Sequence, residues 1–209
     1  MKVGICVPCR DMVSSGFAFD LANLVGFTSS ADLALITISG TLIVNQRTGL
    51  AQSSMDMGCT HVLFIDSDMR FPKDGLERLL AHDKDIVAAN YCTRKFPMNP
   101  VAFSNDQNSD RVFTNPDSTG LEPVAAIGMG FMLIKCEVFE KIAEPYFMIG
   151  YSQANKVYTG EDIYFCRKAR SAGYEVLLDH DLSKEIGHTG EMDFRHEHIW
   201  ATYGDSNVQ

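Results

Sequence analysis

His61-Val62-Leu63-Phe64-Ile65-Asp66-Ser67-Asp68 is the stretch on which the reading turns. It is continuously apolar from Val62 to Ile65, as a strand covered on both faces would be. It ends in two carboxylates separated by one residue, at the strand edge where open α/β sheets bind ligands. The pattern repeats outward from there. Residues 2–8 read as a first strand and 32–38 as a second. Residues 17–27 read as a helix with Phe17, Leu21, Leu24 and Val25 at helical spacing. Residues 41–57 read as another, with Val44, Thr48, Ala51 and Met55 on one face and Gly58 as its end. Pro72 is expected to start a helix through Leu80, and 85–90 to form a fourth strand. Strands alternating with helices predict an α/β fold with a mainly parallel central sheet and helices on both faces.

The rhythm breaks after residue 90. Residues 91–123 are rich in Asn, Asp, Ser, Thr and Pro and read as a loop or small hairpin, with short strands near 101–103 and 111–113. Residues 124–134 resume as a strand interrupted by Gly128-Met129-Gly130. A short helix is expected over 136–143, a longer one over 160–172, and a last strand over 174–178. Residues 179–209 are polar and hold four of the six histidines. A chain of 209 residues that is 45% hydrophobic forms one large domain or a tight pair.

Eighteen basic against 27 acidic residues leave a net charge of −9. That excludes nucleic acid as a partner, since phosphate backbones need a basic footprint. A phosphorylated ligand would need a cation or a local arginine to offset repulsion. No run of 18 apolar residues predicts a transmembrane helix, and the short apolar start does not read as a signal peptide. The expected location is cytoplasmic, with Cys6, Cys9, Cys59, Cys92, Cys136 and Cys166 reduced. Cys6-Val7-Pro8-Cys9 does not directly open a helix as a redox pair would, and no second pair completes a zinc site.

Three groups of residues carry chemistry. Asp66-Ser67-Asp68 suits a hard divalent cation, Mn²⁺ or Mg²⁺, which favours carboxylate oxygens and leaves room for substrate phosphates. Thr159-Gly160-Glu161-Asp162 precedes a helix. It reads either as a cap, with Thr159 as N-cap, or as a carboxylate pair in which Asp162 acts as general base. Arg47 is unusual on a half-buried helix, flanked by Val44 and Ala51; it either snorkels or serves a ligand. Gly128 and Gly130 fit a strand bulge or a close backbone approach to a ligand.

In this order the motifs resemble a GT-A-type glycosyltransferase of the inverting family-two kind. The more specific stretch is Gly160-Glu161-Asp162-Ile163-Tyr164-Phe165-Cys166-Arg167-Lys168-Ala169-Arg170-Ser171-Ala172-Gly173-Tyr174-Glu175-Val176. The resemblance implies a single GT-A (Rossmann-like) domain with a short antiparallel addition. About 1–95 would bind the nucleotide, and about 96–209 would serve sugar and acceptor. It implies a UDP- or GDP-sugar donor, a saccharide, lipid or protein acceptor, and possible homo-oligomers. It further implies Asp66, Asp68 and His188 around the metal, with His180 as rival ligand and His196 and His198 as weaker ones. Pro8, Arg10, Arg47, Asp66, Ser67, Gly128, Met129 and Gly130 would line the donor, with Asp162 as base beside Glu161. The chain departs from the family in carrying Ser39-Gly40 where an acidic signature is usual.

Two other readings remain at this level. One is a haloacid-dehalogenase-like phosphatase using Asp66 as nucleophile, although Arg70 stands where that family has Thr or Val. The other is a non-catalytic sugar-nucleotide-binding protein. The aromatic stretch Phe194 to Trp200 reads as an acceptor-site lid or a docked amphipathic helix.

Overall fold

The computed structural model describes residues 1–107, 110–153 and 156–191. Its elements follow in chain order as β1 (Lys2–Cys9), α1 (Ser15–Phe27), β2 (Asp32–Ser39), α2 (Ile43–Asp56), β3 (His61–Ile65) and β4 (Met69–Arg70). Then come α3 (Gly75–Ala81), β5 (Ile86–Ala89), β6 (Ala102–Phe103), β7 (Arg111–Val112), β8 (Leu121–Val124) and β9 (Phe131–Lys135). The remainder are α4 (Cys136–Lys141), β10 (Gly150–Ser152), β11 (Val157–Thr159), α5 (Glu161–Ser171), β12 (Val176–Asp179), α6 (His180–Ser183) and β13 (Gly187–His188).

A seven-stranded sheet in the order β2-β1-β3-β9-β5-β12-β8 forms the centre. β1 pairs in parallel with β2 and β3, and β12 with β5. β9 runs antiparallel to both β3 and β5, and β8 antiparallel to β12. β9 is thus inserted between β3 and β5. The stretch read as one interrupted strand is two strands, β8 at a sheet edge and β9 at its centre. Gly128-Met129-Gly130 is the crossover between them, not a bulge. Helix α3 begins at Gly75, after Asp74, and not at Pro72; Pro72 instead offers its carbonyl to the Gly75 amide at 3.1 Å in the preceding turn.

The apolar run of β3 is explained by its two covered faces. Val62 and Phe64 pack with Leu50 and Ala51 of α2 and Phe165 of α5. Leu63 and Ile65 pack with Phe17 and Leu24 of α1, Leu76 and Leu79 of α3, and Leu182 of α6. The period-two alternation of a strand sends successive side chains to opposite faces. Ser14 caps α1, its hydroxyl accepting from the Phe17 amide at 3.1 Å, so this helix starts two residues earlier than its apolar spacing indicates.

Strands β1, β2, β3, β5 and β12 all point the same way, so their carboxyl ends share one edge. Short accessory ladders are built there. β13 pairs with β4, setting His188 opposite Met69. β6 pairs with β7 as the expected hairpin. Buried Asn90, just past β5, accepts from the Val101 amide at 3.1 Å and donates to the Val112 carbonyl at 3.0 Å, fastening the 91–101 loop to the sheet. Among the described residues no helix is long and apolar enough to cross a membrane.

Leu133 on β9 is 1% exposed and lies in register between Leu63 and Val87. Leu133→Ala is expected to cost about 2–5 kcal/mol by cavity formation at the sheet centre, read as a fall in the urea midpoint with little change in slope.

Candidate active site

Three pieces of backbone meet at the sheet edge: the turn after β3, the first turn of α5, and the crossover before β9. Arg47 joins them. It projects from α2 and is 3% exposed. Nη2 donates to Asp66 Oδ1 at 2.9 Å, Nε to Glu161 Oε1 at 3.1 Å, and Nη1 to the Met129 carbonyl at 3.3 Å. The guanidinium also lies over the Phe64 ring, 5.5 Å from its centroid. Burial alone would discourage its charge, but the carboxylates of Asp66, Glu161 and Asp162 outweigh that and hold it protonated. It does not snorkel: its head, not only its stem, is buried.

Asp66 is fixed through backbone as well, its amide donating to the Gly130 carbonyl at 3.0 Å. Burial pushes its carboxyl up, Arg47 pulls it back, and Asp68 and Glu161 push it up again. Ser67 is half-buried within the turn between the two aspartates. Asp68 faces the other way. Its Oδ2 lies 2.8 Å from Arg94 Nη1 and 3.5 Å from His188 Nε2. Burial would raise the Asp68 carboxyl, but His188 and Arg94 together hold it below the usual carboxylate range.

His188 Nδ1 lies 2.8 Å from the Cys92 carbonyl. A carbonyl only accepts, so Nδ1 carries the proton and Nε2 is the nitrogen presented to Asp68. The Asp68 contact pushes the imidazole above its ordinary value. Carboxylate Oδ2 and imidazole Nε2 form a donor set suited to Mn²⁺, with the second ring nitrogen oriented by a carbonyl as metal-ligating histidines usually are. Among the described residues no three His, Cys, Asp or Glu side chains converge to enclose an ion. A divalent cation here would accordingly draw its remaining ligands from phosphate and water.

Asp162 sits in the first turn of α5. Its N-cap is Gly160, not Thr159, which ends β11. Asp162 Oδ1 accepts from the Ile163 amide at 2.7 Å. The carboxylate folds back over Gly160, where a Cβ would come within 2.5 Å of that oxygen, so a side chain at 160 would displace the carboxylate. Burial, and next the neighbouring Glu161, raise the Asp162 carboxyl to about 6.

The other predicted residues fall as follows. Pro8 is buried near the end of β1 and Arg10 is exposed just beyond it; among the described residues no ion pair links Arg10 to the carboxylates. Gln46 donates to the Cys9 and Ile38 carbonyls at 2.6 and 2.7 Å, locking the ends of β1 and β2 together. Gly128 and Gly130 make room for Tyr91, since Cβ atoms there would meet its hydroxyl oxygen at 2.5 Å and its Cζ at 2.8 Å, respectively. His180 is held elsewhere, by Thr114 at 3.0 Å and Glu122 at 2.8 Å. All six cysteines are free thiols. His196, His198 and the stretch Phe194 to Trp200 lie outside the described residues.

Sequence reasoning missed Tyr91 and Arg94. Tyr91 accepts from the Gly130 amide at 3.2 Å and meets His188 edge-to-face, centroids 5.2 Å apart. On its far side a cleft of about 290 Å³ is lined by Cys92, Met98, Asn99, Phe113 and Thr114, among others. The available signal was position: both residues lie in the loop after β5, whose carboxyl end is at the ligand edge.

No protein-family model matches the chain, and no curated protein does. Solved structures do. A197 from STIV shares 16% identity over 93% of this chain and 97% of its own, with a TM-score of 0.59. S. aureus TarS 1-349 shares 13% over 99% of this chain and 74% of its own, with a TM-score of 0.51. A glycosyltransferase involved in the glycosylation of the major capsid of PBCV-1 shares 12% over 92% and 95%, with a TM-score of 0.45. The first two likenesses establish a shared fold, and the mixed sheet with its inserted antiparallel strand is that of a single GT-A-like domain.

The raised Asp162 carboxyl has a consequence for stability. An unfolded carboxyl ionises near 3.8 and the folded one near 6. Between those values the folded state binds the extra proton, so stability falls as pH rises through the window. Asp162→Asn is therefore expected to raise Tm by about 3–6 °C at pH 8 and to lose most of that gain at pH 4, checked by thermal melts at both pH values.

Proposed function

We propose that the protein is a metal-dependent glycosyltransferase that moves a sugar from a nucleotide-diphospho-sugar, UDP- or GDP-linked, to an acceptor hydroxyl with inversion. The observation that carries this reading is the convergence at one sheet edge of the Asp66-Ser67-Asp68 turn and the Glu161-Asp162 helix start, joined by Arg47. The GT-A-like fold supports it.

Asp68 and His188 Nε2 would hold the cation, Mn²⁺ or Mg²⁺, with Asp66 beside them. When bound, the cation supplies Lewis-acid neutralisation of the diphosphate leaving group. Asp162 takes the proton of the acceptor hydroxyl onto a carboxylate oxygen. Its raised pKa suits that task, since a base works best with a pKa near the operating pH. Arg47 holds Glu161 and Asp66 in fixed positions and offsets the repulsion their charges would exert on an anionic donor. Gly160 lets the Asp162 carboxylate fold back into the site. The acceptor approaches from the 91–123 side, where the cleft beyond Tyr91 lies. One in-line displacement at the anomeric carbon inverts its configuration.

Asp162→Asn is expected to lower transfer about 10²–10⁴-fold while nucleotide-sugar binding persists, followed by release of nucleoside diphosphate from a panel of sugar nucleotides with Mn²⁺. Turnover at the wild-type rate would remove Asp162 from the role of base. The wild-type kcat/KM is expected to fall below about pH 6, as Asp162 becomes protonated.

A further inference from the structure

Asp68 already has a cationic partner. Arg94 Nη1 lies 2.8 Å from Asp68 Oδ2 and also donates to the Thr189 carbonyl at 3.2 Å. The same Oδ2 lies 3.5 Å from His188 Nε2. The oxygen that would bind the cation is thus the oxygen the guanidinium occupies. Arg94 rides on the loop after β5 and its side chain is 49% exposed, so it can withdraw without opening the core. Arg47 differs: it is 3% exposed and holds three partners.

We propose that Arg94 and the divalent cation are alternative occupants of Asp68 Oδ2, with Arg94 acting as a latch that answers the Asp68 charge until cation and donor arrive. This rests on the metal reading given above. An oxygen paired with a guanidinium at 2.8 Å cannot also bind a divalent ion at about 2.1 Å on the same side without bringing two positive charges into strong repulsion. The acidic edge explains why a latch is useful. Asp66 and Glu161 are answered permanently by Arg47, whereas Asp68 is left to a partner that can leave. A single nitrogen, Nη1, sits between the carboxylate and the Thr189 carbonyl, and the guanidinium stays charged at any working pH. By linkage, whatever the Arg94–Asp68 contact contributes to the free protein is subtracted from the affinity for the cation alone.

The test is Mn²⁺ binding without nucleotide, followed by the electron paramagnetic resonance signal of free aqueous Mn²⁺. Arg94→Gln is expected to bind Mn²⁺ about five- to tenfold more tightly than wild type. Arg94→Lys, which keeps the charge on a shorter side chain, is expected to fall between them. Asp68→Ala is expected to bind none. Equal or weaker uptake by Arg94→Gln than by wild type overturns the latch alone. Failure of every form to take up Mn²⁺, with or without UDP, overturns the metal reading and the latch with it.

Discussion

The buried guanidinium of Arg47 is the constraint on which the site depends. One side chain from α2 ties together the turn after β3, the first turn of α5 and the crossover before β9. Each of these carries a group that is costly to bury alone: the Asp66 carboxylate, the Glu161 carboxylate and the Met129 carbonyl. The arrangement is asymmetric in energy. A buried ion cluster contributes little over an apolar core, but removing one member costs about 3–5 kcal/mol because the rest remain charged and unpaired. The cluster therefore specifies position more than it adds stability. Without it the DxD turn and the Glu-Asp helix start would repel each other, and Asp162 would not be held close to Asp66.

The overall charge of −9 acquires local meaning in this frame. Asp66, Asp68, Glu161 and Asp162 concentrate at one edge, and their neighbours divide the work of balancing them. Arg47 balances the inner pair. Arg94 and His188 balance Asp68 from the exposed side. Among the described residues Asp162 forms no ion pair, and burial, then the neighbouring Glu161, raise its carboxyl to about 6. Two carboxylates in one site are thus pushed apart in acidity, Asp68 downward and Asp162 upward, which is the usual mark of separate roles.

Much of the fold was legible because period and punctuation are local. The apolar run of β3, the Gly58 signal and the small hairpin all follow from neighbouring residues. The insertion of β9 between β3 and β5 was not legible. Its sequence, Phe-Met-Leu-Ile-Lys, is as apolar as a parallel strand buried on both faces, and direction leaves no mark in composition. For the site, Asp66, Asp68, Glu161, Asp162 and Arg47 were visible as residues by a short motif or an odd charge on an apolar face, and His188 only through the family resemblance. What brings them together was not visible, because Arg47 is 114 residues from Glu161 in the chain. Tyr91 and Arg94 escaped because a polar loop gives no periodicity to read. The role of Gly128 and Gly130 also changed once Tyr91 was seen packed on them.

The central claim is that this edge binds a nucleotide-diphospho-sugar through a cation on Asp68. Titration calorimetry of UDP- and GDP-sugars into the protein, with Mn²⁺ and with chelator, tests it most directly, with Asp68→Ala as the companion variant. The account predicts binding of at least one sugar nucleotide in Mn²⁺ that is lost in chelator and in Asp68→Ala. Binding of equal strength in chelator, or no binding of any sugar nucleotide by the wild-type protein in Mn²⁺, would contradict it.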